Sequence, residues 1–144
     1  NISEKDILPG VLRFLEETKE LSIPIALGSA SKNAMLLLDK TGVRHFFHTV
    51  VDGIKVSRSK PDPEVFVTAA KGIGVLPEDC IVFEDSMKGL EAAVRAGMHT
   101  VGIGIDPVLS AAQLVIPDFT SITAKDIVEW FDTSNKIASG EIVL

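Results

Sequence analysis

Glu84 and Asp85 stand side by side at the end of an apolar run, Cys80-Ile81-Val82-Phe83, and a helical pattern starts directly after them. Two carboxylates at the rim of a sheet are hard oxygen donors of the kind Mg²⁺ takes. Asp85 or Ser86 also suits the N-cap of the following helix. Capping accounts for one acid and leaves Glu84 as a charge ending a buried strand. Ser29 and Ser31 close a second apolar run, Ile23-Pro24-Ile25-Ala26-Leu27-Gly28, just before helical spacing resumes at Lys32. Hydroxyls beside the free N–H groups of a helix start make an anion cradle. Lys60, in a polar loop over residues 54–61, adds a compact positive charge. Together these read as a phosphoryl-transfer site that lacks a nucleophile.

Such a site needs elements that bring distant residues to one rim. Phe14, with Leu12, Leu15 and Leu21, lines a helix that begins after Pro9-Gly10, and strand 23–28 follows it. Helical spacing returns over 32–40 with Met35, Leu36 and Leu38. A strand is expected over 48–52, closed by Asp52-Gly53, and Asp62 with Pro63 opens a helix that stops near Gly72 to Gly74. Strand 80–83 leads to helix 86–96, which Gly97 ends in a C′ role, then strands 100–103 and 114–116 and a last helix over 124–131. Strands alternating with helices predict an α/β fold with a parallel sheet, where ligands bind beyond the carboxyl ends of the strands. Residues 1–131 are expected to form the core and residues 132–144 a polar, loosely ordered tail.

The order Ser29, Lys60-Pro61-Asp62-Pro63, Glu84-Asp85 resembles motifs two, three and four of the haloacid dehalogenase superfamily over roughly residues 7–130. The resemblance implies a Rossmannoid three-layer sandwich. It assigns Ser29 and Lys60 to the transferring phosphoryl group and Glu84 and Asp85 to Mg²⁺. Within the superfamily, Ser29-Ala30-Ser31-Lys32-Asn33 resembles the second motif of the β-phosphoglucomutases. There the second serine, the lysine and the asparagine contact the far phosphate of a bisphosphate intermediate. A cation such as Lys32 in a helix's first turn runs against the helix dipole, which favours a functional role for it. The other reading keeps Ser31 as a helix cap with Lys32 and Asn33 solvated.

The activity implied is Mg²⁺-dependent conversion of β-glucose 1-phosphate to glucose 6-phosphate through a phospho-aspartate. A phosphatase acting on small sugar or organic phosphates is the alternative, and an inactive fragment or phosphate-binding module a third. The family's first motif, an Asp-x-Asp on the central strand, has no counterpart in residues 1–28, since Asp6 precedes a Pro-Gly turn. The helical cap is also missing. The strands ending at Ser29 and Glu84 should therefore flank an empty central position and expose unpaired edges. The missing strand is expected from an N-terminal portion of the same protein, and this chain alone is expected to be inactive.

The resemblance implies a small phosphorylated sugar as partner, and composition argues against other classes. A net charge of −6 argues against general nucleic-acid binding, which needs clustered Lys and Arg. No apolar run approaches the roughly twenty residues of a membrane span. The single cysteine, Cys80, excludes an internal disulfide and suits a reducing, cytoplasmic setting as a buried thiol. His45, His48 and His99 lack ligand spacing, and Gly102-Ile103-Gly104 lacks the third glycine and helix of a dinucleotide site. Asp62 reads as a cap, Trp130 as part of the last helix's apolar face, and Phe46, Phe47 and Phe66 as core or interface residues.

Overall fold

A computed structural model of the chain describes residues 10–29, 39–133 and 141–143. Its strands are β1 (Ile25–Gly28), β2 (Thr49–Val51), β3 (Cys80–Glu84), β4 (His99–Ile103), β5 (Leu114–Ile116) and β6 (Glu141–Val143). They form one sheet in the order β2-β1-β6-β3-β4-β5, every pair parallel. The helices are α1 (Val11–Glu20), α2 (Glu64–Ile73), α3 (Met87–Arg95) and α4 (Ala124–Thr133). The α/β class and parallel sheet are as the alternating pattern predicts.

β3 shows why the sheet must be covered on both sides. All five of its residues are buried. Ile81 and Phe83 enter a cluster with Phe14 of α1 and Ile127 and Phe131 of α4. Cys80 and Val82 point the other way, onto Phe66 and Ala69 of α2 and Ala92 and Ala93 of α3. This period of two, buried on both faces, is the mark of a strand inside a parallel sheet. Cys80 is the buried thiol its strand pattern predicts. Phe46 and Phe47 join Leu15, Ile25 and Val50 in a third apolar cluster.

The centre of the sheet departs from expectation. The open edges foreseen beside β1 and β3 are not there, because β6 lies between the two strands. Ile142 pairs with Ile25 and Ile81, and Val143 with Ala26 and Val82. Buried backbone N–H and C=O groups must find partners, and an extended Ile-Val segment supplies them on both sides at once. Residues 141–143 thus belong to the core sheet rather than to a tail, and α4 runs two residues past the expected end at 131. The expectation that β1 and β3 do not pair directly holds. β6 reaches only to the level of Ala26 and Val82, so Leu27-Gly28 and Phe83-Glu84 extend past it.

Smaller differences have local causes. Leu12 and Leu21, expected to line α1 together with Phe14 and Leu15, are exposed, and Phe14, Leu15 and Thr18 form its buried face. Helix α2 begins at Glu64, with Pro63 in the cap position, while the Asp62 carboxylate accepts from the Glu64 N–H at 2.9 Å. Gly97 adopts φ 80° after α3. Its N–H bonds the Val94 carbonyl and that of Met98 bonds Ala93, a double closure that a left-handed glycine makes possible. Among the described residues no helix is long and apolar enough to cross a membrane.

Candidate active site at the carboxyl ends of the central strands

The site is built where β1 and β3 run on past β6. Glu84, the last residue of β3, is only 8% exposed, and a buried charge there must be paired. Lys60 meets it from the loop before α2, with Nζ 2.7 Å from Oε2. The same ammonium lies 3.4 Å from the Gly28 carbonyl at the end of β1. One cation therefore bridges the two strand ends across the gap that β6 leaves. The Phe66 ring of α2 lies under it, 4.9 Å from Nζ to the ring centroid, adding cation–π attraction. The Lys60–Pro61 peptide bond is cis.

The loop that delivers Lys60 is itself fixed. Glu64, in the first turn of α2, accepts from the Ser57 N–H, the Ser57 hydroxyl and the Arg58 N–H. The Ser57 hydrogen bonds hold its carboxyl below the usual range. Upstream, Asp52 is buried at the end of β2 and accepts from the N–H groups of Ile54 and Lys55. A cavity of about 250 Å³ opens beside this loop, lined by Ser29, Ser57, Ser59 and Lys60 among others. Ser29 is part of that lining, its own N–H bonded to the Val51 carbonyl at 2.8 Å.

The two acids differ in kind. Glu84 Oε1 accepts from the Asp85 N–H at 3.0 Å and the Ser86 hydroxyl at 3.2 Å. Burial works to raise the Glu84 carboxyl, but the charge and hydrogen bond of Lys60, with the Asp85 hydrogen bonds, outweigh it and hold the group low. Asp85 is exposed, and its carboxyl is pushed up by hydrogen bonding to Glu84, by partial burial and by the Glu84 charge. Two adjacent carboxylates whose charges oppose each other are a place where a divalent cation is favoured. Asp85 is the more exposed of the two, while the oxygens of Glu84 are engaged by Lys60, Asp85 and Ser86. Among the described residues no group of three or more His, Cys, Asp or Glu could hold a metal. Mg²⁺ keeps several waters and is often bound through one or two carboxylates, so the donor set still fits it.

Ser86, not Asp85, caps α3: its hydroxyl accepts from the Gly89 N–H at 3.1 Å while donating to Glu84. The residue that sequence reasoning missed is Gly89. A methyl at its Cα would lie 1.9 Å from Glu84 Cδ, so the carboxylate rests directly on the helix backbone. The available signal was a glycine inside the first turn of a helix, where alanine would be the better helix former. Ala30, Ser31, Lys32 and Asn33, expected to serve the far phosphate, lie outside the described residues, as does Asp6. Two of the histidines are tied into the fold: His48 Nδ1 accepts from the Ile25 N–H, and the His99 ring sits between Gln113 and the Glu78 carbonyl.

Comparison with known proteins places this arrangement. Residues 2–97 match the haloacid dehalogenase-like hydrolase family. The chain belongs to that family. It is 37% identical over 122 residues to β-phosphoglucomutase of Bacillus subtilis, a match covering 85% of this chain and 54% of that protein. With fructose-1-phosphate phosphatase of Escherichia coli it shares 42% identity over 82 residues, covering 56% and 44%. The crystal structure of β-phosphoglucomutase from Clostridium difficile superposes with a TM-score of 0.88 at 36% identity, covering 93% of this chain and 60% of the other. The relatives thus include both phosphomutases and sugar phosphatases, and the chain spans about half the length of those it matches.

Proposed function

We propose that the protein containing this chain is a Mg²⁺-dependent sugar-phosphate mutase that converts β-glucose 1-phosphate to glucose 6-phosphate. The observation that carries the reading is the Lys60 ammonium held between Gly28 and Glu84, on the same cavity as Ser29. A phosphoryl group in transfer spreads negative charge over its equatorial oxygens, and a fixed ammonium offsets that charge without reorganising. Lys60 fills this role, and the Glu84 carboxylate fixes where its charge sits. The Ser29 hydroxyl, at the end of β1, is the second phosphate contact. Asp85, with Glu84 behind it, would hold Mg²⁺, which when bound supplies further neutralisation of phosphate charge.

The nucleophile is not among the described residues. We assign it to an aspartate on an N-terminal portion of the same protein, in keeping with a match that covers only 54% of the Bacillus subtilis relative. Ser31, Lys32 and Asn33 would hold the distal phosphate of a bisphosphate intermediate. The alternative is a phosphatase of the same site, favoured by the identity to fructose-1-phosphate phosphatase. The test is ³¹P NMR of this chain and of the longer protein with β-glucose 1-phosphate, Mg²⁺ and a trace of the bisphosphate. Glucose 6-phosphate without matching inorganic phosphate is the expected result for the longer protein. Inorganic phosphate alone would replace the mutase with the phosphatase, and no turnover by either would overturn both.

A further inference from the structure

We infer that Gly89 is a positioning residue for the Glu84 carboxylate, and through it for Lys60; the metal part of this inference rests on the proposed function above. The argument starts from a conflict. Gly89 lies in the first turn of α3, where its flexibility weakens a helix and alanine would strengthen it. Yet a methyl there would meet Glu84 Cδ at 1.9 Å, Cγ at 2.1 Å and Oε2 at 2.1 Å, and these are its three nearest atoms. The clash falls on a side chain and not on neighbouring backbone. The methyl would therefore be accommodated by moving the carboxylate.

That carboxylate has no slack. Oε2 is bound by Lys60, and Oε1 by the Asp85 N–H and the Ser86 hydroxyl. The Ser86 hydroxyl is in turn fixed by the Gly89 N–H. Gly89 thus acts twice, through a missing Cβ that leaves room for Glu84 and through an N–H that orients the serine donating to it. Displacing the carboxylate would take Oε2 from Lys60, release the ammonium from its bridge to Gly28, and shift the charge beside Asp85.

The test compares Gly89→Ala, Glu84→Asp and the double variant in the full chain. Mg²⁺ affinity is read by titration calorimetry and thermal midpoint by circular dichroism. Shortening residue 84 by one methylene draws the carboxylate back from the added methyl. Gly89→Ala is expected to weaken Mg²⁺ binding about tenfold, as loss of support behind a metal ligand does, and to lower the midpoint despite its better helix former. The double variant is expected to recover midpoint relative to Gly89→Ala, so the two effects do not add. A raised midpoint with unchanged Mg²⁺ affinity, or strictly additive effects, would overturn the inference. Should Gly89→Ala fail to fold, a folded double variant sustains the inference and an unfolded one overturns it. A parent chain that binds no Mg²⁺ would remove the metal reading alone, and the thermal cycle would still decide the role of Gly89.

Discussion

Two ion pairs of the same length do different work in this molecule. Arg13 and Glu17, one turn apart on α1, approach to 2.7 Å, as do Lys60 and Glu84. The first pair is spent on structure: Arg13 also donates to the carbonyls of Phe119 and Ile122, and Glu17 accepts the Ala124 N–H that opens α4. Apart from each other, their partners are backbone groups, and the side chains are 41% and 28% exposed. The second pair is 17% and 9% exposed, joins residues 24 positions apart, and has a second acid beside it whose carboxyl is pushed up. Length does not separate the clamp from the site. Burial, and an unresolved repulsion next to it, do.

Breaking the buried pair should have the largest effect. Lys60→Met leaves Glu84 charged and without its cation, at a cost of about 3–5 kcal/mol in unfolding free energy by urea titration, and should abolish phosphoryl transfer by the longer protein. The pH dependence has a definite sign. A carboxyl held low in the folded state stabilises above its unfolded pKa, and that stability is lost as pH falls through the lower folded value. An acid titration of stability should show a larger loss in the parent than in Glu84→Gln, where Glu64 is still held low.

Asp85 sharpens the contrast, because its carboxyl is shifted the other way. Its raised pKa makes the folded state favour the proton, so its contribution is present at low pH and lost as pH rises through the raised value. Asp85→Asn should therefore raise the thermal midpoint at neutral pH in metal-free buffer while weakening Mg²⁺ binding by calorimetry. Lower stability there would show that the two acids do not oppose each other. The clamp is expected to be worth least. Arg13→Ala should cost roughly 1 kcal/mol by urea denaturation, with no change in Mg²⁺ affinity or in turnover by the longer protein.

Much of this was legible in order along the chain. The buried apolar run of β3, the closing glycine of α3, and Ser29 and Glu84 at strand ends follow from local patterns, while Lys60 gains its place only from its position between the two other family motifs. What was not legible depends on contacts between distant residues. Ile142-Val143 carries no periodicity long enough to announce a strand, and its place is set by the needs of β1 and β3. Gly89 looks like a poor helix residue until Glu84 is found lying on it. Leu12 was misplaced because a short helix offers several apolar stripes, and packing against α4 selects the one holding Phe14.

The position of β6 bears on how the chain is made. Synthesis runs from the amino end, so β1 to β5 all leave the ribosome before residues 141–143 that belong in the middle of their sheet. Without β6, the inner edges of β1 and β3 in this chain are open to pairing in the wrong register or with a neighbouring chain. Among the described strands, the one latest in order is thus the keystone between the two halves of the sheet.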